Sequence, residues 1–281
     1  MIGERTSRLL VSIVAYRNHW LEVQAVVDSV LRAAARLRAD DTLDIITDLI
    51  VVDNSESPSL SDSNVETLYQ DSLRGGVSFR LLQGQGNIGY GAAHNLALSQ
   101  VSTDFCLFLN VDVVLDDECL HAGIRYFANN DDVVAISPNA SSADGRKQYL
   151  CKRYPSIADF FLRGVAIQVL SNIFWNRMAQ YEMRDLPEDQ ATSGIPIISG
   201  CCILARRHAI DSVGGFDEIY FLYFEDFDLS LRLASIGELT YLPAMKIQHF
   251  GGHASRKDLK HVFLFCRSAL IFFKSHGWKW Y

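Results

Sequence analysis

Apolar runs that break off into polar clusters recur through the first 140 residues of this chain. Residues 9–15 (LLVSIVA) form a continuous, β-branched stretch, as a strand buried on both faces does, and stop at Tyr16-Arg17-Asn18. Residues 49–52 stop at Asp53-Asn54-Ser55, residues 77–82 at Gly84, residues 105–109 at Asn110-Val111-Asp112, and residues 133–137 at Pro138. Residues 20–37, 92–100 and 119–127 carry apolar side chains at helical spacing. Strand and helix alternate without hairpin signals, which predicts an α/β fold with a parallel sheet covered on both faces. Ligands bind such sheets at the carboxyl ends of the strands. Four consecutive strands deliver acids, amides and glycines to that rim, more than chance turns would supply.

After Pro138 the rhythm breaks. Residues 157–179 read as a helix, 197–205, 239–242 and 246–249 as strands, and 207–213, 225–236 and 259–274 as helices. The expected organisation is one domain over residues 1–281. It comprises a ligand-binding half (1–138), a second, smaller mixed half with a lid-like insert (139–250), and a basic aromatic helical end (251–281).

Charge is unevenly spread. The chain of 281 residues has a net charge of −7, yet from Lys246 onward seven Lys/Arg face one acid, a net +6 that leaves −13 on the rest. A basic, aromatic-rich end on an acidic body suits an anionic surface, or is a solvated helix face. No apolar run reaches the length of a spanning helix, and residues 1–5 show no leader pattern. The six cysteines form no C-x-x-C pair, and several sit in apolar runs, as buried thiols of a reducing compartment do. A cytoplasmic protein is expected, with no nucleic-acid partner.

Gly84-Gln-Gly86-Asn-Ile-Gly89 matches the dinucleotide fingerprint, with Asp112 about 20 residues on. That fingerprint belongs in the first βα turn of its unit, whereas two strands precede it here, and it leaves a late acidic cluster unexplained. This cluster is Glu225-Asp226-Phe227-Asp228, opening a helix whose dipole favours carboxylates. Asp228 and Arg232 form an i,i+4 pair, so Glu225 and Asp226 point elsewhere, beside the aromatic run 220–224. A carboxylate in partly apolar surroundings holds its proton more tightly and suits a general base; the plainer reading is an acidic helix cap. Asp112 at a strand tip suits a hard divalent ion on diphosphate oxygens, or caps a turn. His249 and His253 flank two glycines, which argues for a loop, with His249 a further metal ligand or a structural histidine.

Together these residues resemble inverting glycosyltransferases of family 2, with the GT-A nucleotide-sugar-binding fold. The matches are Ala15-Tyr16-Arg17-Asn18, Val51 to Ser55, Asn87-Ile88-Gly89-Tyr90-Gly91 through Asn95, Phe108 to Asp112, residues 200–205, Gly214-Gly215-Phe216-Asp217, residues 223–232 and His249. Within the family the chain is most similar to bacterial rhamnosyltransferases of O-antigen and cell-wall assembly, through Lys152-Arg153-Tyr154-Pro155-Ser156 and the Phe216-Asp217 and Glu225-to-Leu229 stretches.

The resemblance implies a donor site of Ala15, Tyr16, Asn18, Asp53, Asn87, Gly89, Asn95, Asn110 and Asp112, with Asp53 on the base or ribose. It implies Mg²⁺ or Mn²⁺ on Asp112 with help from His249, an acceptor contact at Gly215, Phe216 and Asp217, and Asp226 as catalytic base with Glu225 orienting. It further implies a nucleotide-sugar donor, dTDP-rhamnose foremost and UDP-sugars as the alternative. The implied acceptor is a saccharide, carried in relatives on a polyprenyl diphosphate at the inner face of the membrane. Asn110 departs from the D-x-D pattern; its amide is a weaker ligand for a hard cation, and it keeps open a catalytically inactive sugar-nucleotide-binding module. A sugar-phosphate nucleotidyltransferase would place a Gly-rich basic loop after strand one, where this chain has Tyr16-Arg17-Asn18-His19-Trp20.

Overall fold

The computed structural model describes residues 6–157, 159, 168–251 and 259–280. Its strands are β1 (Ser7–Ala15), β2 (Ile45–Asp53), β3 (Ser78–Leu82), β4 (Phe105–Asn110), β5 (Val113–Leu115), β6 (Val133–Ser141), β7 (Lys147–Gln148), β8 (Cys151–Lys152), β9 (Ile197–Ile198), β10 (Cys202–Arg206) and β11 (Glu238–His249). The helices are α1 (Trp20–Arg38), α2 (Asp62–Arg74), α3 (Tyr90–Leu98), α4 (Cys119–Asn129), α5 (Gln168–Tyr181), α6 (Arg207–Ser212), α7 (Glu225–Ala234) and α8 (Leu259–His276).

The main sheet runs β3-β2-β1-β4-β10-β6-β11-β5. The first four strands are parallel. The fifth expected strand, β6, does not sit beside β4: β10 enters between them, antiparallel to both. That insertion makes the second half of the sheet mixed. Residues 239–242 and 246–249, read separately from the sequence, are one strand with a register shift between Leu242 and Lys246.

Helices cover both faces. Val23, Val26, Val27, Val30, Ala34 and Leu37 of α1 pack with Leu9, Val11 and Ile13 on one side. Ala93, Ala97, Phe216, Leu229 and Leu233 pack with Leu10, Val14 and Phe108 on the other. Each such fully buried Val, Leu or Phe contributes about 1.5–3 kcal/mol relative to exposure. The cap at His19 holds α1 in register: its side chain accepts from Leu21 N–H while Glu22 reaches back to the His19 amide.

The sequence reading contains no counterpart of α2, a polar helix that buries only Leu68 and Ser72 and whose signal is the reciprocal cap between Ser61 and Asn64. Part of the expected helix over 157–179, and His253, Arg256 and Lys257, lie outside the described residues. Five of the six cysteines are buried free thiols, and Cys266 is exposed.

Candidate active site

The turn after β4 carries the first acidic site. β4 ends at Asn110, and β5 starts three residues later and pairs antiparallel with the end of β11, Val113 opposite His249. Sheet pairing therefore brings Asp112 beside a histidine 137 positions on in the chain. Asp112 Oδ2 lies 3.5 Å from His249 Nε2, and Phe250 N–H donates to the Asp112 carbonyl (2.9 Å). The other ring nitrogen of His249 pairs with Gln148 Oε1 (2.6 Å), which fixes the ring. Burial alone would raise the Asp112 carboxyl, but the His249 contact and the Asn110 amide outweigh it, and the net shift is downward.

Asp112 Oδ1 and Asn110 Oδ1 are buried with no hydrogen-bond partner among the described residues. Buried acceptors are seldom left orphaned in a folded protein. Two oxygens and an oriented imidazole nitrogen at one turn fit a hard divalent cation with few protein ligands.

The second acidic site is tied to the first through the start of β10. Asn110 N–H donates to Cys201 O (2.9 Å). One residue earlier, Gly200 N–H donates to Asp226 Oδ2 (2.8 Å), while Gly200 O accepts from the Tyr90 hydroxyl (2.7 Å). A Cβ on Gly200 would stand 3.0 Å from the Asp226 Cβ, so the close approach suits glycine.

Asp226 opens α7 from an unusual turn. Tyr223 and Phe224, both non-glycine, adopt left-handed φ of 70° and 68°. Such backbone costs on the order of 1–3 kcal/mol per residue and persists only when packing over-determines it. Here Phe224 is buried against Phe265 (5.2 Å) and Phe272 (5.3 Å) of α8, Tyr223 bonds His261 (2.9 Å), and Ser268 donates to Leu222 O (2.8 Å). The expected Asp228–Arg232 pair is present at 2.6 Å, and His276 clasps the other Asp228 oxygen (2.7 Å).

Glu225 is buried, its Oε2 has no hydrogen-bond partner among the described residues, and its carboxyl is pushed well above the usual range by burial and then by the Asp226 charge beside it. Asp226 is raised too, again chiefly by burial, with the Gly200 and Phe227 amides pulling against the shift. The pair thus holds protons tightly, the condition the sequence reading set for a base.

A cleft of about 960 Å³ runs along the carboxyl ends of the strands. Tyr16, Asn18, Asn87, Gly89, Asn110 and Asp112 line it, with Tyr90, Phe221, Lys260 and His261 on the far wall. The loop bearing Gly89 closes against the aromatic turn, and a Cβ there would meet Phe221 O at 2.7 Å. Asp226 is linked to the wall residue Tyr90 through two hydrogen bonds at Gly200, and the Glu225, Asp226 and Asp112 carboxyls bear on the Tyr90 hydroxyl.

Six expected contact residues are not among those that line this cleft, and one of them, Asp217, is exposed. Ala15 is fully buried. Both Asp53 oxygens are taken by the loop that follows, Oδ1 by Ser55 N–H and Oδ2 by Ser59 N–H and Oγ. Asn95 accepts from Phe216 N–H and donates to Phe216 O, so it clamps the Gly215 turn to α3. Phe216 is buried against His94 and Phe108, and Asp217 caps Ile219. A Gly215 Cβ would meet Asn95 Oδ1 at 2.6 Å. These residues shape the walls. Tyr90 and Gln148, which the sequence reading gave no role, hold functional groups in place.

Residues 11–214 match the family model described as "Glycosyl transferase family 2". An N-acetylglucosaminyl-diphospho-decaprenol L-rhamnosyltransferase of Mycobacterium tuberculosis is 30% identical over 217 residues, 71% of this chain and 68% of that protein. The rhamnosyltransferase WbbL of Escherichia coli K12 is 26% identical over 249 residues, 84% of each chain. Among solved structures, GalNAc-T7 with UDP, GalNAc and Mn²⁺ superposes with a TM-score of 0.59 at 13% identity, over 88% of this chain and 44% of that one. The chain thus spans less than half of that structure's length, and the likeness is one of fold, GT-A. With a family match over most of its length, the chain belongs to glycosyltransferase family 2.

Proposed function

We propose that this enzyme transfers L-rhamnose from dTDP-rhamnose to a hydroxyl of a saccharide carried on a polyprenyl diphosphate lipid, with inversion at the anomeric carbon. Both relatives are rhamnosyltransferases, and the name of one specifies an N-acetylglucosaminyl diphosphate lipid. The observation that carries the reading is the Asn110–Cys201 and Gly200–Asp226 hydrogen-bond pair, which couples the two acidic sites through adjacent residues of one strand start.

In this mechanism Tyr16, Asn18, Asn87 and Gly89 bind the donor, and Asp112 with Asn110 and His249 would hold Mg²⁺ or Mn²⁺. Such an ion supplies charge neutralisation of the departing diphosphate. Asp226 removes the proton of the acceptor hydroxyl, whose oxygen attacks the anomeric carbon opposite the leaving nucleoside diphosphate. One C–O bond forms as the other breaks, and the proton stays on the carboxylate. Glu225, its carboxyl raised by burial and by the neighbouring Asp226 charge, orients Asp226.

The test is a panel of nucleotide sugars with a lipid-linked N-acetylglucosamine acceptor and Mn²⁺. The reading expects release of nucleoside diphosphate, a rhamnosylated lipid and inverted product stereochemistry. Pyrophosphate release, or turnover with UDP-sugars alone, would overturn it.

A further inference from the structure

Helix α8 has two chemically different faces. The inner face buries Ser268 and Phe272 and grips the turn that leads into α7, while Phe273 near the helix end is buried and stacked on Trp278, 5.3 Å between centroids. On the outer face Leu259 (84% exposed), Phe263 (67%) and Leu270 (53%) stand in solvent, with Val262 and Cys266 also exposed. At 100° per residue these five share an arc about 100° wide, and Lys260, Arg267 and Lys274 run along one flank of it. Just beyond the helix Trp278 and Trp280 are exposed and stacked on each other, 5.8 Å between centroids.

A scattered exposed Leu is ordinary, but a contiguous apolar stripe flanked by cations and ended by two indoles is not. Indoles favour the boundary between water and hydrocarbon. The stripe belongs to the segment of net +6, on a chain whose remaining residues carry −13. An anionic bilayer attracts that end and repels the acidic body, which fixes an orientation as well as an affinity.

We infer that the outer face of α8, with the Trp278–Trp280 pair, docks on an anionic lipid bilayer. Lys260 on the flank, and His261 and Leu264 on the other side of the same helix, line the cleft, so docking places the cleft next to the lipid-bound helix. That a lipid-linked saccharide is met there rests on the proposed function; the docking itself rests on the helix alone.

Flotation of the full chain with vesicles of phosphatidylcholine, and of phosphatidylcholine with phosphatidylglycerol, tests this. The wild type is expected to float with the anionic vesicles and much less with the neutral ones. A Phe263→Glu/Leu270→Glu variant is expected to stay at the bottom. Arg267→Gln/Lys274→Gln should weaken binding by about 30-fold, near fivefold per cation. Donor hydrolysis without lipid, and thermal unfolding, are measured on the same proteins and should match wild type.

No flotation, equal flotation with both vesicle types, or flotation retained by the double-Glu variant would overturn the proposal. So would a dimer, seen by sedimentation, that the double-Glu variant dissociates while vesicles stay unbound; the stripe would then seat a second copy. Wild-type protein that turns over donor but never floats removes the docking alone, and wild-type protein that floats without turnover removes the transferase reading alone.

Discussion

Tyr90 shows how one hydroxyl sets the position of a reacting group it does not touch. It donates to Gly200 O, and the same glycine's N–H holds Asp226. A hydrogen bond of this kind contributes about 0.5–1.5 kcal/mol. Tyr90→Phe should therefore cut turnover by up to about tenfold and move the pH–rate limb, with donor affinity unchanged. Unaltered turnover and an unaltered limb would assign the hydroxyl to packing. At the other acidic site, Asn110→Asp supplies the missing carboxylate. It should tighten Mn²⁺ binding by about tenfold or more, since hard divalent cations favour carboxylate over amide oxygen; calorimetry showing no gain would take Asn110 out of the metal set. The placement of Asp112 and Asp226 was legible, because acids at a strand tip and a helix start are visible in sequence. The duties of Asp53 and Asn95 were not. Their oxygens are claimed by Ser59 and Phe216 through contacts that only the folded chain creates.

Helix α7 carries its acids at a buried N-terminus, and this has a thermodynamic consequence. The Glu225 carboxyl is raised in the folded protein by burial and by Asp226. A group raised on folding gives stability that is complete below its unfolded value and lost as pH climbs through the folded one. Glu225→Gln cannot ionise, so its melting temperature should gain on wild type as pH climbs above the ordinary carboxylate range. A melting difference that does not vary with pH would show that Glu225 is not held protonated. Activity runs the other way: the raised Asp226 must lose its proton to act, so the rate should rise with pH above the ordinary carboxylate range. Elements with a strong apolar period, such as α1 and β1, were read from sequence to within a few residues. The polar helix α2 was not, because tertiary contact at Leu68 and Ser72, with the Ser61–Asn64 cap, does the work that periodicity does elsewhere.

On the scale of the whole molecule, the function depends on where the chain crosses the sheet. β10 enters antiparallel between β4 and β6, and that single insertion places Gly200 and Cys201 beside Asn110 and so couples Asp226 to Asp112. No local pattern announces such a crossing, which is why four parallel strands were predictable and the order beyond them was not. The coupling of the two carboxylates is the central claim, and Asp226→Asn tests it most directly when donor binding and transfer are measured on the same preparation. The account predicts donor affinity close to wild type with transfer reduced by about 10²–10⁴-fold; transfer near the wild-type rate would contradict it.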